Sequence, residues 1–205
     1  MNTIEDVGIV GISCSVPAKK INNIDLAPHY GEVETNKIIS STGVNTRHVS
    51  GDNVTSADLC YLAAKKLLAK LDWSTESVGA LIFISQTSEY QLPATACILQ
   101  SKLGLPAGTI AFDVNLGCSG FVYGLYLAST LAKSGAGRVL LLVGDTISKL
   151  VKPGDRSTEF LFGDAGSATA IERQDGESIT FDLGSDGSGY EHIIARKSLD
   201  TPEVI

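Results

Sequence analysis

A chain of 205 residues is long enough for one domain with a sizeable core, or for part of a larger domain. Its 43% hydrophobic and 19% charged residues are typical of a globular protein and argue against a disordered one. The formal net charge of −7 would repel nucleic-acid phosphates, so we expect no nucleic-acid partner.

Apolar runs and cysteine spacing narrow the class of protein further. The longest apolar run, residues 139–143, is too short to cross a bilayer, so we expect no membrane partner. The acidic N-terminus does not resemble a signal peptide, and the four cysteines form no CxxC pair. These features predict a cytoplasmic protein with reduced thiols and with neither a metal site nor a redox dithiol.

The first part of the chain has the pattern of a strand followed by two helices. Residues 7–12 are typical of a strand that ends near Pro17, and a short helix is expected at residues 34–40. Thr55 and Asp58 then have the spacing of a capping box at the start of a helix. Apolar residues at positions 60, 64, 67, 68 and 71 follow with helical spacing.

From residue 80 onward, predicted strands alternate with predicted helices. Strands are expected at residues 80–84, 110–114, 138–144 and 167–172. One helix opens at Pro93 and is closed by Gly104, and another extends from about Cys118 to Ser134. This order predicts an α/β fold with a mainly parallel sheet covered by helices on both faces.

Cys118 lies in a tight turn between a predicted strand and a predicted helix. Gly117 and Gly120 flank it, and glycine allows a sharp bend and the close approach of a ligand. Free N–H groups at a helix N-terminus favour a thiolate and can stabilise an oxyanion on a thioester carbonyl. The pattern predicts acyl transfer through Cys118, and the alternative is a buried thiol that only fills space. We expect the remaining cysteines in or near the core: Cys14, Cys60 and Cys97.

Five motifs in order along the chain resemble those of one enzyme family. They are Thr42-Gly43-Val44…Arg47-His48, Leu92-Pro93…Ala96-Cys97…Gln100, Phe112-Asp113-Val114…Cys118-Ser119-Gly120-Phe121, Asp155-Arg156…Phe162-Gly163-Asp164…Gly166 and Leu183-Gly184-Ser185-Asp186-Gly187-Ser188. Together they resemble the N-terminal half of β-ketoacyl carrier-protein synthase III, a condensing enzyme.

This resemblance implies a thiolase-like fold in which the chain forms one βαβαβαββ half. We therefore expect an N-terminal half-domain at residues 1–175 and a connecting segment at residues 176–205 that leads toward a missing C-terminal half. The polar ending at Ile205, with no closing element, fits an interruption of the fold. Members of the family usually form homodimers, so a second copy is an expected partner.

The resemblance also implies a reaction. An acyl group passes from a coenzyme A thioester to Cys118, a malonyl carrier-protein thioester loses CO2, and its carbanion attacks the acyl-cysteine. Coenzyme A is then a substrate, no cofactor is implied, and the partners are acyl-coenzyme A or acyl-carrier protein and malonyl-carrier protein. The family's triad is Cys-His-Asn, and its His and Asn would lie beyond Ile205. The histidines present are not expected to replace that base: His29, His48 and His192.

Three more positions carry over from the resemblance as substrate-binding residues. Arg156 matches an arginine that packs on the adenine of coenzyme A, and the alternative is a surface ion pair. Leu92 matches a side chain that dimers insert into the neighbour's acyl pocket, and Phe162 matches one along the acyl tunnel. For both of these the alternative is ordinary packing. We interpret Asp164 as a turn residue rather than a catalytic acid.

Two departures from the family pattern bear on the acyl donor. Lys37 and Ser41 stand where the family commonly has a tryptophan and an arginine that hold coenzyme A. The donor is then a carrier-protein thioester or an unusual coenzyme A ester, in fatty-acid or more specialised acyl biosynthesis. Two other interpretations stay open. One is an acyltransferase or an enzyme like hydroxymethylglutaryl-coenzyme A synthase, and the other is a non-catalytic dimerisation or carrier-docking module.

Overall fold

The computed structural model describes residues 1–192 and residue 194. Its strands are β1 Asn2–Ser15, β2 Lys20–Asn22, β3 Thr46–His48, β4 Val78–Ile84, β5 Ile110–Val114, β6 Arg138–Asp145 and β7 Ala165–Phe181. Its helices are α1 Ala27–Tyr30, α2 Glu32–Thr42, α3 Ser56–Leu71, α4 Thr95–Leu103 and α5 Gly120–Leu131. Apart from the small hairpin of β2 and β3 and the helices beside it, the order is βαβαβαββ, as predicted.

Five strands form the central sheet in the order β1-β7-β6-β4-β5. Strand β4 is parallel to both β5 and β6, whereas β7 is antiparallel to β6 and to β1. Four strands therefore share one direction and only β7 runs against them, which confirms the prediction of a mainly parallel sheet.

Helices cover both faces of the sheet. Leu81 and Phe83 of β4 face α3 and α4, while Ile82 and Ile84 face α5. Since alternate side chains of a strand point to opposite faces, a strand covered on both sides is apolar at every position. That is why β4 and β6 appear in the sequence as unbroken apolar runs.

The residues that begin and end the helices lie at or close to the positions predicted from the sequence. The capping box is present: Thr55 Oγ1 accepts from Asp58 N at 3.1 Å, and Thr55 N donates to Asp58 Oδ2 at 3.2 Å. Gly104 ends α4 with a φ of 68°, a left-handed conformation that glycine adopts without strain. Helix α4 begins at Thr95, two residues after Pro93, and α5 continues beyond Leu131 as a wider turn over residues 132–136.

The burial of the other three cysteines was predicted correctly for only one of them. Cys60 of α3 is fully buried, but Cys14 and Cys97 are exposed. Cys14 lies in edge strand β1, where its neighbour Ser13 faces inward. Cys97 lies on the outer side of the short helix α4, whose inner side carries Ala96 and Leu99.

Strand β7 continues across the expected boundary at residue 175 and ends at Phe181, which is buried against Tyr126 of α5. The division into residues 1–175 and 176–205 stays a prediction. Among the described residues, no helix is long and apolar enough to cross a membrane. The same residues contain no cluster of three or more His, Cys, Asp or Glu arranged to hold a metal ion.

Candidate active site

The cysteine turn, residues 115–119, joins β5 to α5 at the carboxyl end of the sheet. Gly120 N donates to Gly117 O at 2.7 Å, and Tyr123 N donates to Ser119 O at 3.2 Å. Cys118 is exposed and precedes the first helical residue by two positions. The alternative of a buried, space-filling thiol is therefore wrong for Cys118, because solvent reaches the residue.

A Cβ atom at either of the glycines beside Cys118, Gly117 and Gly120, would meet a close neighbour. A Cβ atom at Gly117 would lie 2.4 Å from Gln86 Oε1, and one at Gly120 would lie 2.9 Å from Ile84 Cγ2. Both distances are too short for real carbon atoms. The turn is consequently packed closely against β4 and against the loop that follows β4.

Asp113 connects this turn to the neighbouring helix. Its two carboxylate oxygens accept hydrogen bonds from Thr95 N at 2.6 Å and from Ala96 N at 2.7 Å, the first two amides of α4. A negative charge at a helix N-terminus satisfies amides that have no partner within the helix. Asp113 thereby fixes the start of α4 relative to β5, five residues before Cys118.

A second aspartate fixes the loop after β4. Asp145, the last residue of β6, accepts through Oδ1 from Ser85 Oγ at 3.0 Å, Gln86 N at 2.7 Å and Thr87 N at 3.0 Å. The sequence analysis did not identify Asp113 or Asp145 as site residues. The signal for both was present: each is an acidic residue at the carboxyl end of an otherwise apolar strand.

Asp164 has the structural role that was predicted for it. The residue is 3% exposed, and its carboxylate accepts from Ser50 N at 2.6 Å and from Ser148 N at 2.9 Å. It ties two loops to the beginning of β7.

The substrate-binding candidates lie in loops at the same edge of the sheet as Cys118. Leu92 follows β4, and both Arg156 and Phe162 lie between β6 and β7. Leu92 is 81% exposed beside the cis peptide bond to Pro93, and Phe162 is 41% exposed in a loop rather than in a strand. Neither side chain serves as ordinary core packing. Arg156 is exposed and forms an ion pair with Glu34 of α2, which is its alternative role.

The loop that carries Arg156 is anchored to the hairpin and to the first helices. Arg47 Nη1 donates to Phe162 O at 3.0 Å, and burial lowers the pKa of this guanidinium. The Tyr30 hydroxyl donates to the Glu159 carboxylate, and burial, followed by that carboxylate, raises the pKa of Tyr30 to about 12. These contacts hold the loop in place without using Arg156.

The three histidines do not form a base for the cysteine in the part of the chain described. His48 Nδ1 lies 2.6 Å from Pro17 O, His29 is exposed and stacks edge-on against Tyr30, and His192 is exposed. No hydrogen bond joins any of them to the cysteine turn within residues 1–192. That they do not replace a catalytic histidine stays a prediction.

A cleft of about 640 Å³ opens at the same edge of the sheet. Gln86 is one of its walls and also touches Gly117, so the cleft adjoins the cysteine turn. Its lining carries charges of both signs, from Asp58, Glu89, Lys102 and Lys149.

Comparison with known proteins finds similarity to one enzyme family. A family model described as 3-oxoacyl-[acyl-carrier-protein (ACP)] synthase III matches residues 112–187, which include Cys118. A Halalkalibacterium halodurans protein named beta-ketoacyl-[acyl-carrier-protein] synthase III 2 is 36% identical over 184 residues, which cover 87% of this chain and 54% of the relative. A Bacillus pumilus beta-ketoacyl-[acyl-carrier-protein] synthase III is 34% identical over 191 residues, 92% of this chain and 61% of the relative.

The fold leads to the same group of proteins. The crystal structure of a 3-oxoacyl-(acyl-carrier protein) synthase from Burkholderia xenovorans superimposes with a TM-score of 0.90 at 44% identity, covering 93% of this chain and 55% of that one. This fold similarity confirms the predicted thiolase-like class. The chain spans only 54% to 61% of the length of the curated relatives named above. Motifs, family model, relatives and fold thus agree that the chain is similar, over most of its length, to 3-oxoacyl-[acyl-carrier-protein] synthases III.

Proposed function

We propose that the protein transfers an acyl group to Cys118 and then performs a decarboxylative Claisen condensation with a malonyl-carrier-protein thioester, in fatty-acid or specialised acyl biosynthesis. The observation that carries the proposal is the exposed cysteine between β5 and the start of α5, in a chain that is similar to this family. A thiol at this position is open to a thioester, and the helix N-terminus lies next to the carbonyl that it would attack.

The proposed chemistry proceeds in two balanced steps. The Cys118 thiolate attacks the donor's thioester carbonyl, and the donor's thiolate leaves and takes up a proton. The malonyl thioester then loses CO2, and the resulting carbanion attacks the acyl-cysteine and releases the Cys118 thiolate. Sulfur and the two thioesters supply all of this chemistry, so the proposal includes no metal or cofactor.

The acid–base partners of Cys118 are part of the proposal. A condensing enzyme of this type needs a histidine and an asparagine to stabilise the negative charge that develops as CO2 leaves the malonyl thioester. Since the curated relatives are longer, we propose that these two residues belong to sequence beyond Ile205. The 205-residue chain is then expected to accept an acyl group on Cys118 and to be weak in the decarboxylation step.

The identity of the acyl donor is a finer part of the proposal. Arg156 is proposed to contact the donor, with a coenzyme A thioester or an acyl-carrier protein as the possible donors. The ion pair between Arg156 and Glu34 supports the carrier, because Glu34 competes with a nucleotide for the guanidinium. Lys37 and Ser41, both exposed, offer no aromatic ring or guanidinium to replace it.

A homodimer in the cytoplasm completes the proposal. Strand β5 has only one neighbour in the sheet, β4, so one row of its backbone N–H and C=O groups is free to pair. The exposed Leu92 lies in the loop between β4 and α4, next to that edge in the chain, and we propose that it enters the acyl pocket of a second copy, where Phe162 lines the tunnel. Four free cysteines support a reducing compartment.

The test is to incubate the protein with acetyl-coenzyme A, longer acyl-coenzyme A esters and acyl-carrier protein, digest it and look for an acyl adduct by mass spectrometry. An adduct on Cys118 is expected, and Cys118→Ser must abolish it. The exposed Cys97 in the same digest is the internal control for non-specific acylation. A folded protein that forms no adduct with any donor would refute acyl transfer and leave the docking-module interpretation.

A further inference from the structure

Gln86 lies in the loop after β4 and touches the backbone of the cysteine turn. A Cβ atom at Gly117 would lie 2.4 Å from Gln86 Oε1, 2.7 Å from its Cδ and 2.9 Å from its Nε2. The whole carboxamide therefore occupies the space directly over the residue that precedes Cys118. Gln86 also forms part of the wall of the adjoining cleft, so it separates the cleft from the turn.

The main chain of Gln86 is held by the end of another strand. Asp145 Oδ1 accepts from Gln86 N at 2.7 Å, and the same oxygen accepts from both neighbours of Gln86. Thr87 Oγ1 adds a bond of 2.9 Å to that oxygen and accepts one from Thr146 N, also at 2.9 Å. With three consecutive residues tied to one carboxylate, the loop has a fixed position relative to β6.

We propose that Gln86 is a positioning residue for Cys118, and that Asp145 holds Gln86 in place for this purpose. This inference rests on the proposed acyl transfer to Cys118. The carboxamide packs against Gly117 and thereby limits the directions in which the Cys118 thiol can point. A small displacement of the thiol from the thioester carbonyl would lower the rate of acyl transfer. Because the carboxamide is neutral, it supports the turn without placing a negative charge beside the thiolate.

The most direct test of the contact between Gln86 and the cysteine turn needs no acyl donor. Gln86→Glu keeps the size of the side chain and adds a carboxylate against Gly117, the residue before Cys118, so the pH midpoint of Cys118 alkylation by iodoacetamide should rise by about 0.5 unit or more. Gln91→Glu makes the same chemical change on the same exposed loop and should leave the midpoint unchanged. The other charges near the loop and the cleft are common to both variants: Asp58, Glu89, Lys102, Asp145 and Lys149.

A second variant tests the positioning role itself. Gln86→Ala should lower the maximal rate of Cys118 acylation about tenfold and leave the half-saturating donor concentration unchanged, since it disturbs orientation rather than binding. Thermal unfolding should be unaltered, because Gln86 is exposed and its backbone bond to Asp145 remains.

The results separate this inference from the function on which it rests. Coincident alkylation profiles for Gln86→Glu and the parent, or an unchanged acylation rate in Gln86→Ala, would overturn the positioning role. A shifted alkylation profile in a protein that accepts no acyl group would support the contact between Gln86 and the cysteine turn while refuting acyl transfer.

Discussion

Asp113→Ala should uncouple α4 from β5. The substitution removes two short hydrogen bonds to the first amides of α4, and both Thr95 and Ala96 are fully buried, so water does not easily replace the carboxylate. A hydrogen bond to a charged group contributes roughly 1.5–3 kcal/mol, and a helix cap about 0.5–2 kcal/mol. The two terms overlap here, and we expect a loss of about 3 kcal/mol in the free energy of unfolding.

Asp113→Asn refines the same test. Its amide oxygen can accept from one of the two helix amides, while its NH2 group opposes the other, so the loss should be roughly half as large, about 1.5 kcal/mol. Urea denaturation followed by circular dichroism measures both values. Asp182→Ala is the control, since this exposed residue has only a 4.0 Å contact to the N-terminal amine, and its midpoint should equal the parent's. A loss below about 1 kcal/mol for Asp113→Ala would refute the capping role.

Four further predictions follow from the packing, the charges and the thiols. Gly166→Ala should destabilise the protein by about 2 kcal/mol or more, since its Cβ would lie 2.5 Å from Cys60 N of α3; Gly108→Ala, with open space around it, is the control in the same thermal melt. The hydrogen bond from Lys133 lowers the pKa of Asp6 in the folded protein. The stability that this carboxylate contributes is therefore present above its unfolded pKa of 3.8 and is lost as the pH falls through the folded pKa. Asp6→Asn should flatten the acid side of the plot of stability against pH. Cys14, Cys97 and Cys118 should alkylate in the folded protein, whereas Cys60, whose pKa burial raises to about 12, should react only after unfolding, as peptide mass spectrometry will show. The 205-residue chain should self-associate in sedimentation velocity, since α5 has no charged residue and leaves Phe121 and Val122 36% and 45% exposed, and a single monomeric species at all concentrations would contradict this.

Sequence periodicity predicted the central elements well because burial repeats along them. Strand β4 and helix α3 each bury several residues, and β5 is a short run of mostly apolar residues, so the bounds of all three follow within one or two residues. The hairpin of β2 and β3 was not predicted. Each of these strands has three residues, too few to show a period, and their pairing joins positions about 25 residues apart in the chain.

The candidate site likewise has one part that could be predicted from the sequence and one part that could not. The position of Cys118 could be predicted because the turn, its glycines and the following helix are all local in sequence. The contact of Gln86 with the turn and the bonds from Asp145 to the loop of Gln86 could not, since Gln86 follows β4 and Asp145 ends β6, and these segments meet only after the sheet has formed. Likewise, the start of α4 at Thr95 depends on Asp113, a residue that follows the helix in sequence.

At this edge of the sheet, three aspartates hold the loops in place and a cysteine is the reactive group. Asp113, Asp145 and Asp164 lie at or next to the ends of β5, β6 and β7, and each accepts hydrogen bonds from two backbone amides of other segments. Hydrogen bonds from backbone amides to a charged carboxylate are among the strong ones in proteins. These aspartates therefore fix loops, and Cys118 is the group at this edge best suited to form a covalent bond with substrate.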